Sequence, residues 1–117
     1  MSSGLENYKS LIDSLVKLSG SCAAMTSIKR GEVKGVEAKS GINDILAKLS
    51  DEERDILANY TLKAYTSGIY DTLEELEWHR VCKNMVITME GEELPTGKFE
   101  GIPCDYIGRC DGWEWPE

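Results

Sequence analysis

Apolar residues recur at helical intervals through the first 90 positions, and this periodicity limits the fold more than any other feature. Over residues 5–18 the intervals are three and four, and the polar residues fall largely on the opposite side. This spacing predicts an amphipathic helix that ends near Ser19 and Gly20. Residues 21–30 suggest a second helix, and the glycines that follow predict a connection over residues 31–40.

A capping motif at residues 50–53 marks the clearest helix start in the chain. The Ser50 hydroxyl is placed to accept from the Glu53 amide, and the Glu53 carboxylate is placed to accept from the Ser50 amide. The motif predicts a helix over residues 51–66 that pauses at 67–68, with a short helix after Gly41 preceding it. The expected buried face consists of Ile56, Leu57, Tyr60 and Ala64.

A long helix is predicted over residues 69–89, and its apolar stripe changes side. One stripe contains Ile69, Leu73 and Leu76, whereas a nearly opposite stripe contains Trp78, Val81, Cys82, Met85, Val86 and Met89. The helix could be buried on both sides, it could kink near Glu77, or residues 85–89 could leave it, since their sequence is β-prone. We favour two buried faces, one inside a helix bundle and one under the C-terminal segment or against a second chain.

The last 27 residues contain five glycines and all three prolines, so helix is not expected there. Their aromatic and aliphatic content is nevertheless too high for a free tail. We expect an irregular strap over residues 91–117, with a short hairpin as an option, lying across the helices of residues 1–90. The fold class is therefore all-α, a bundle of four or five helices in a single domain over residues 1–117.

The charge balance argues against several classes of partner. The formal net charge is −8, which disfavours both nucleic acid and anionic membrane surfaces. The N-terminal sequence shows no secretory signal, and no apolar stretch approaches the roughly 18 residues of a membrane span. We therefore expect a cytoplasmic protein whose four cysteines are thiols.

Signatures of catalysis are lacking, so an enzyme is the less favoured alternative and we assign no catalytic residue. Nucleotide-binding glycine loops, HExxH and GxSxG do not occur in the sequence. His79 is the only histidine, and we interpret it as a surface or partly buried residue bonded to a neighbour. The carboxylates of Glu74, Glu75 and Glu77 are interpreted as a solvated helix face.

A structural zinc site is the one metal hypothesis that the sequence offers. His79 and Cys82 lie three residues apart, so one helix face could present both, and a strap that folds back could add Cys104 and Cys110. Three cysteines and one histidine are a known zinc set, but the last pair is more widely spaced than is usual. We expect no cofactor and keep zinc as the alternative.

The tryptophans and methionines are the candidate interface residues. Trp78, Met85 and Met89 lie on the second stripe, and Trp113 and Trp115 are expected to anchor the strap or to form an exposed aromatic patch. The leading functional hypothesis is a small non-enzymatic interaction module that contacts a protein partner or forms a homodimer. A narrower hypothesis is an acidic inhibitor of a basic protein.

Three segments resemble small bacterial or phage-related helical proteins of unknown function. They are residues 41–58, residues 68–73 and the ending Asp-Tyr-Ile-Gly-Arg-Cys-Asp-Gly-Trp-Glu-Trp-Pro at 105–116. The resemblance covers about half of the chain, and the closing segment is its most distinctive part. It implies a helical domain and carries no activity or site residue to this chain.

Overall fold

The computed structural model describes residues 3–35 and 40–116, and within them the protein is mainly helical, as predicted. The helices are α1 (Gly4–Leu18), α2 (Ala23–Arg30), α3 (Ile42–Ala47), α4 (Asp51–Cys82) and α5 (Ile102–Cys110). A two-stranded antiparallel hairpin lies between α4 and α5 and consists of β1 (Thr88–Met89) and β2 (Glu92–Glu93). Of the predicted connection over 31–40, residues 36–39 lie outside the described residues. No helix in the described ranges is both long and apolar enough to cross a membrane.

The chain divides into two compact units, each with its own core. The inserted unit consists of residues 19–67, and the terminal unit consists of residues 1–18 and 68–117. The helix α4 contributes its first half to the inserted unit and its second half to the terminal unit. The single-domain assignment stays a prediction.

In the inserted unit, Ile28, Leu46 and Ala58 form the buried core. The capping box is present as predicted, since the Ser50 amide donates to Glu53 Oε1 at 2.8 Å and the Glu53 amide donates to Ser50 Oγ at 3.1 Å. These bonds satisfy donors at the start of α4 that have no partner within the helix.

The buried face predicted for this part of α4 is wrong, because the observed buried face is shifted by about one residue along the sequence. Ala58 is fully buried, and Leu57 packs half-buried against the core, whereas Ile56, Tyr60 and Ala64 are exposed. A one-residue step turns a helix by about 100°, and both faces carry apolar residues. The periodicity therefore could not decide which of the two faces meets α2 and α3.

The predicted break at residues 67–68 does not occur, because α4 continues for 32 residues to Cys82. A single glycine inside a helix costs only about 1 kcal/mol relative to alanine. The helix ends earlier than the predicted residue 89. Asn84 adopts a left-handed backbone with φ 57°, and the Met85 amide donates to the His79 carbonyl at 3.1 Å. The favoured helix with two buried faces over 69–89 is thus wrong, and residues 85–89 leave the helix.

The C-terminal segment is less irregular than predicted, because it contains α5. Gly101 precedes that helix and Pro103 lies in its first turn. Backbone N–H groups in the first turn have no partner within the helix, so a proline there costs no hydrogen bond. These residues therefore mark the start of a helix instead of excluding one. The short hairpin exists, but it begins at Thr88, before the predicted strap, and turns at Glu90 and Gly91, both with positive φ.

The terminal unit has a core of buried apolar side chains from α1, α4, α5 and the segment after β2. They are Tyr8, Ile12, Leu73, Leu94, Ile102 and Tyr106. The hairpin is fixed to α1, since Asn7 Nδ2 donates to the Met89 carbonyl at 3.1 Å. A Cβ atom at Gly4 would lie 2.4 Å from the Glu93 carbonyl oxygen, so α1 and β2 approach at a distance that only glycine allows.

An ion pair between the buried Arg80 and the half-buried Glu77 connects three parts of the terminal unit. Arg80 is 5% exposed and donates from Nη1 to Glu77 Oε2 at 3.2 Å. Its Nη2 donates to the carbonyls of Pro95 at 2.8 Å and Leu94 at 3.3 Å. Glu77 Oε2 also accepts from the Ile102 amide at 2.9 Å, at the start of α5. The pair therefore holds α4, the segment after β2 and α5 together.

A second buried contact joins α1 to α5. Tyr8 Oη donates to Asp105 Oδ2 at 2.5 Å, and the Glu100 amide donates to Asp105 Oδ1 at 3.1 Å. Burial of the phenol, reinforced by its hydrogen bond to Asp105, raises the pKa of Tyr8 well above the ordinary 10.0. The phenol therefore stays protonated in the folded protein at pH values where an exposed tyrosine ionises.

Replacing Arg80 should destabilise the terminal unit. Arg80→Met leaves the Glu77 carboxylate without its cation and two carbonyls without a donor, which should cost about 3 kcal/mol of unfolding free energy. Urea unfolding followed by tryptophan fluorescence measures this unit, because all three tryptophans lie in it. Lys98→Met removes an exposed cation and is the control, with an expected change of at most about 0.5 kcal/mol. Equal stabilities of the two variants would contradict the role of Arg80.

The raised pKa of Tyr8 predicts a pH dependence of stability. Above pH 10.0 the unfolded chain loses the Tyr8 proton while the folded protein keeps it, so the unfolding free energy falls as the pH rises. Tyr8→Phe lacks this titration. The stability difference between the wild type and Tyr8→Phe should therefore shrink as the pH is raised above 10.0. Urea titrations on both proteins across this range measure it, and a constant difference would be the contrary result.

Candidate functional site

A groove of about 550 Å³ runs along the second half of α4 in the terminal unit. The residues that line it are Asp71, Glu74, Glu75, Glu77, Trp78, Val81, Cys82 and Pro103. All but Pro103 come from α4, and Pro103 comes from the first turn of α5. We call this surface the α4 groove.

Helical spacing explains why these side chains share one surface. Four of them are spaced at intervals of four, three and four residues, which places them on one face of α4. They are Asp71, Glu75, Trp78 and Cys82. Trp78 is 48% exposed and Val81 is 67% exposed. A large aromatic and a branched aliphatic side chain are thus open to solvent side by side.

Acidic groups dominate the charge of the α4 groove. Four of its lining residues are carboxylates, and none of the described lining residues is lysine or arginine. Glu77 is committed to Arg80 and to the start of α5. Asp71, Glu74 and Glu75 are exposed, so their charges face the solvent in the groove. A hydrogen bond to the Glu74 carboxylate raises the pKa of Tyr70.

The Trp78 ring is held by its neighbours and lies near a cation of its own chain. The His79 ring packs edge-on against it with 4.9 Å between centroids, and the Lys83 ammonium lies 5.7 Å from its centroid. His79 Nδ1 donates to the Glu75 carbonyl at 2.8 Å, which fixes the imidazole. An ammonium group can therefore lie close to the Trp78 ring, where a cation–π interaction stabilises it.

The residues of the zinc hypothesis are spread over two helices. Cys82 lies in the α4 groove, and Cys104 and Cys110 are exposed on α5. Within residues 3–35 and 40–116, no group of three or more His, Cys, Asp or Glu side chains is placed to hold a metal ion. The set of His79, Cys82, Cys104 and Cys110 stays a prediction that this geometry does not support.

The structure places Trp113 and Trp115 in an aromatic cluster with Tyr8 and Phe99, away from the α4 groove. Both are half-buried, and Trp115 Nε1 donates to Asp13 Oδ2 at 3.1 Å. This arrangement has the geometry of an anchor for the C-terminal tail.

Arg109 ties the same tail to two helices. Its Nε donates to Asp13 Oδ1 at 2.7 Å, and its Nη1 donates to the Trp113 carbonyl at 2.7 Å. The guanidinium also lies 5.3 Å from the Trp115 ring centroid. One side chain of α5 thus contacts both α1 and the tail.

The remaining candidate interface residues separate as well. Met89 packs half-buried against the core of the terminal unit, and Met85 is half-buried in the segment after α4. Of the five predicted interface residues, the α4 groove contains Trp78 alone. Sequence reasoning missed Asp71, although its spacing of seven residues from Trp78 was a usable signal.

A mainly helical protein with an acidic, aromatic groove is the class that these observations define. The chain belongs to a Family of unknown function (DUF6547), whose model matches residues 1–117. No curated protein and no solved structure matches the chain. The predicted membership of a family of unknown function is therefore confirmed, and no relative assigns an activity.

The different settings of the tryptophans predict different effects on stability. Trp115→Ala removes an aromatic contact and the bond to Asp13, which should cost about 2 kcal/mol or more of unfolding free energy. Trp78→Ala should change it by no more than about 0.5 kcal/mol, because the ring is largely outside the core. Urea unfolding followed by far-UV circular dichroism compares the two variants. A larger loss for Trp78→Ala would mean that this ring is structural.

Proposed function

We propose that the protein is an interaction module that binds a basic segment of another protein in the α4 groove. The observation that carries this proposal is the exposure of Trp78 and Val81 beside the carboxylates of Asp71, Glu74 and Glu75. Apolar side chains supply binding energy when a partner covers them, and tryptophan is prominent among residues that dominate interfaces.

The chemistry of the groove favours lysine or arginine in the partner. Carboxylates around an apolar centre attract a basic segment and orient it, while the centre provides the contact area. A lysine or arginine over the Trp78 ring adds a cation–π interaction. Lys83 already occupies such a position at 5.7 Å, and it would compete with the partner or move aside.

The same charges argue against other ligands. Exposed carboxylates repel the phosphates of nucleic acids, and the formal net charge of −8 extends this repulsion beyond the groove. One helix supplies seven of the eight lining residues. A site that follows a single helix suits a helical or extended polypeptide that runs beside it.

Inhibition of a basic protein is a narrower form of this proposal. It requires that the segment bound in the α4 groove be the functional basic surface of the partner. We also propose that the protein is of bacterial or phage-related origin. It would act in the cytoplasm and fold as a helical bundle. The net charge supports the inhibitory form, and the sequence resemblance supports the proposed origin.

A designed peptide tests the proposal without knowledge of the natural partner. The probe is a fluorescein-labelled helical peptide built from lysine and leucine, and the reference peptide has glutamate in place of lysine. Fluorescence anisotropy should show binding of the lysine peptide alone, with an affinity that falls as salt is added. Trp78→Ala should weaken this binding about tenfold or more.

Matched charge variants separate the α4 groove from the general negative charge. The groove variant carries Asp71→Asn, Glu74→Gln and Glu75→Gln, and should weaken binding about tenfold or more. The control variant carries the same charge change outside the groove, at Glu92→Gln, Glu100→Gln and Glu114→Gln. Its binding should stay within about threefold of the wild type. Equal losses for both variants, or no binding by the wild type, would refute the proposal.

A further inference from the structure

The first half of α4 carries an exposed apolar stripe that is separate from the α4 groove. Ile56 is 64% exposed and Tyr60 is 71% exposed, one helical turn apart. They border an apolar hollow of about 360 Å³ whose other lining residues are Leu49, Glu53 and Leu57. All of these residues belong to the inserted unit. We call this surface the Ile56–Tyr60 stripe.

Opposite charges lie along one edge of the stripe. At 100° per residue, Lys63 lies about 20° and Glu52 about 40° from Ile56, both on the side away from Tyr60. Both side chains are exposed. Glu52 belongs to the first turn of α4, and Lys63 lies three turns further along the helix. The edge is therefore acidic at one end and basic at the other.

We propose that a second copy of this chain docks antiparallel on the Ile56–Tyr60 stripe. Residues 56 and 60 are centred on position 58, and residues 52 and 63 are centred within half a residue of it. A two-fold axis at the level of residue 58 therefore places Ile56 opposite Tyr60 of the second copy. The same axis places Glu52 opposite Lys63 of the second copy, and the symmetry repeats both contacts.

Charge complementarity is what selects a second copy as the occupant and fixes its direction. A two-fold axis perpendicular to both helices keeps a residue on its own side of the stripe, so Glu52 and Lys63 meet instead of passing on opposite sides. A parallel arrangement would place Glu52 level with Glu52 and Lys63 level with Lys63 on opposite edges of the stripe, so it would pair no opposite charges. The stripe is therefore complementary to itself in one orientation.

The inference is independent of the proposed function. The Ile56–Tyr60 stripe shares no residue with the α4 groove, and each surface lies in a different unit. A dimer formed through the stripe would carry two grooves. Such a dimer would bind a partner with two basic segments more tightly than a monomer, by raising the effective concentration of the second groove.

Charge exchange between Glu52 and Lys63 tests the proposed pairing. Sedimentation equilibrium over a wide concentration range should show a reversible monomer–dimer equilibrium for the wild type. Glu52→Lys and Lys63→Glu each place like charges opposite each other, and each should weaken the dimer about tenfold or more. The double variant restores opposite charges in exchanged positions, and its dimerisation constant should return to within about threefold of the wild type.

Controls separate the pairing from effects on folding and from other surfaces. Asp55→Lys and Lys29→Glu make the same charge changes at exposed positions away from the stripe, and dimerisation should persist in both. Tyr60→Ser should weaken the dimer while leaving the circular dichroism melting curve in place. The groove variant at Asp71, Glu74 and Glu75 should dimerise as the wild type does. A wild type that stays monomeric at every concentration, or a double variant that is no better than the single variants, would overturn the inference.

Discussion

The guanidinium of Arg80 is the constraint on which the terminal unit depends. It is buried, and a buried charge is tolerated only when it is paired and its donors are satisfied. Glu77 supplies the counter-charge one helical turn earlier, and the carbonyls of Leu94 and Pro95 accept from Nη2. Because Glu77 also accepts from the Ile102 amide, one ion pair fixes the chain before α5 and the start of α5 itself.

The orientation of Arg80 also decides which side of α4 remains available to a partner. Viewed along the helix axis, Leu73 lies about 20° from Arg80 and faces the same core. Trp78 lies about 160° from Arg80. The carboxylates of Asp71 and Glu75 fall on the Trp78 side. The side of α4 opposite Arg80 is therefore the side that forms the α4 groove, and Glu77 lies between the two sides, because it lines the groove and pairs with Arg80.

The local elements could largely be predicted from sequence, because their signals are local. The capping box at Ser50 and the helical character of residues 5–18 require only neighbours three or four residues apart. The end of α4 was missed, although Asn84 is a residue type that tolerates the left-handed turn observed there. The helix α5 was missed because Gly101 and Pro103 were interpreted as helix breakers, when they flank and begin a helix.

The tertiary assignments could not be predicted because they depend on distant partners. Tyr8 and Asp105 are 97 residues apart, and their contact determines that α1 packs against α5. In the same way, α4 carries apolar side chains on two sides, so the sequence was compatible with burial of either side. Only the packing of Ala58 against α2 and α3 shows which side is buried. The second stripe at Trp78 and Val81 was predicted, but its exposure to solvent was not. Whether another segment covers a stripe depends on the tertiary structure, which the local sequence does not reveal.

The most direct test of the central claim is a nuclear magnetic resonance titration of ¹⁵N-labelled protein with the lysine and leucine peptide, following the three indole N–H signals. If the α4 groove is the binding surface, the Trp78 signal should shift in proportion to occupancy. The Trp115 signal, held by Asp13, should stay in place. A shift of Trp115 without Trp78, or no shift of either signal at saturating peptide, would contradict the account.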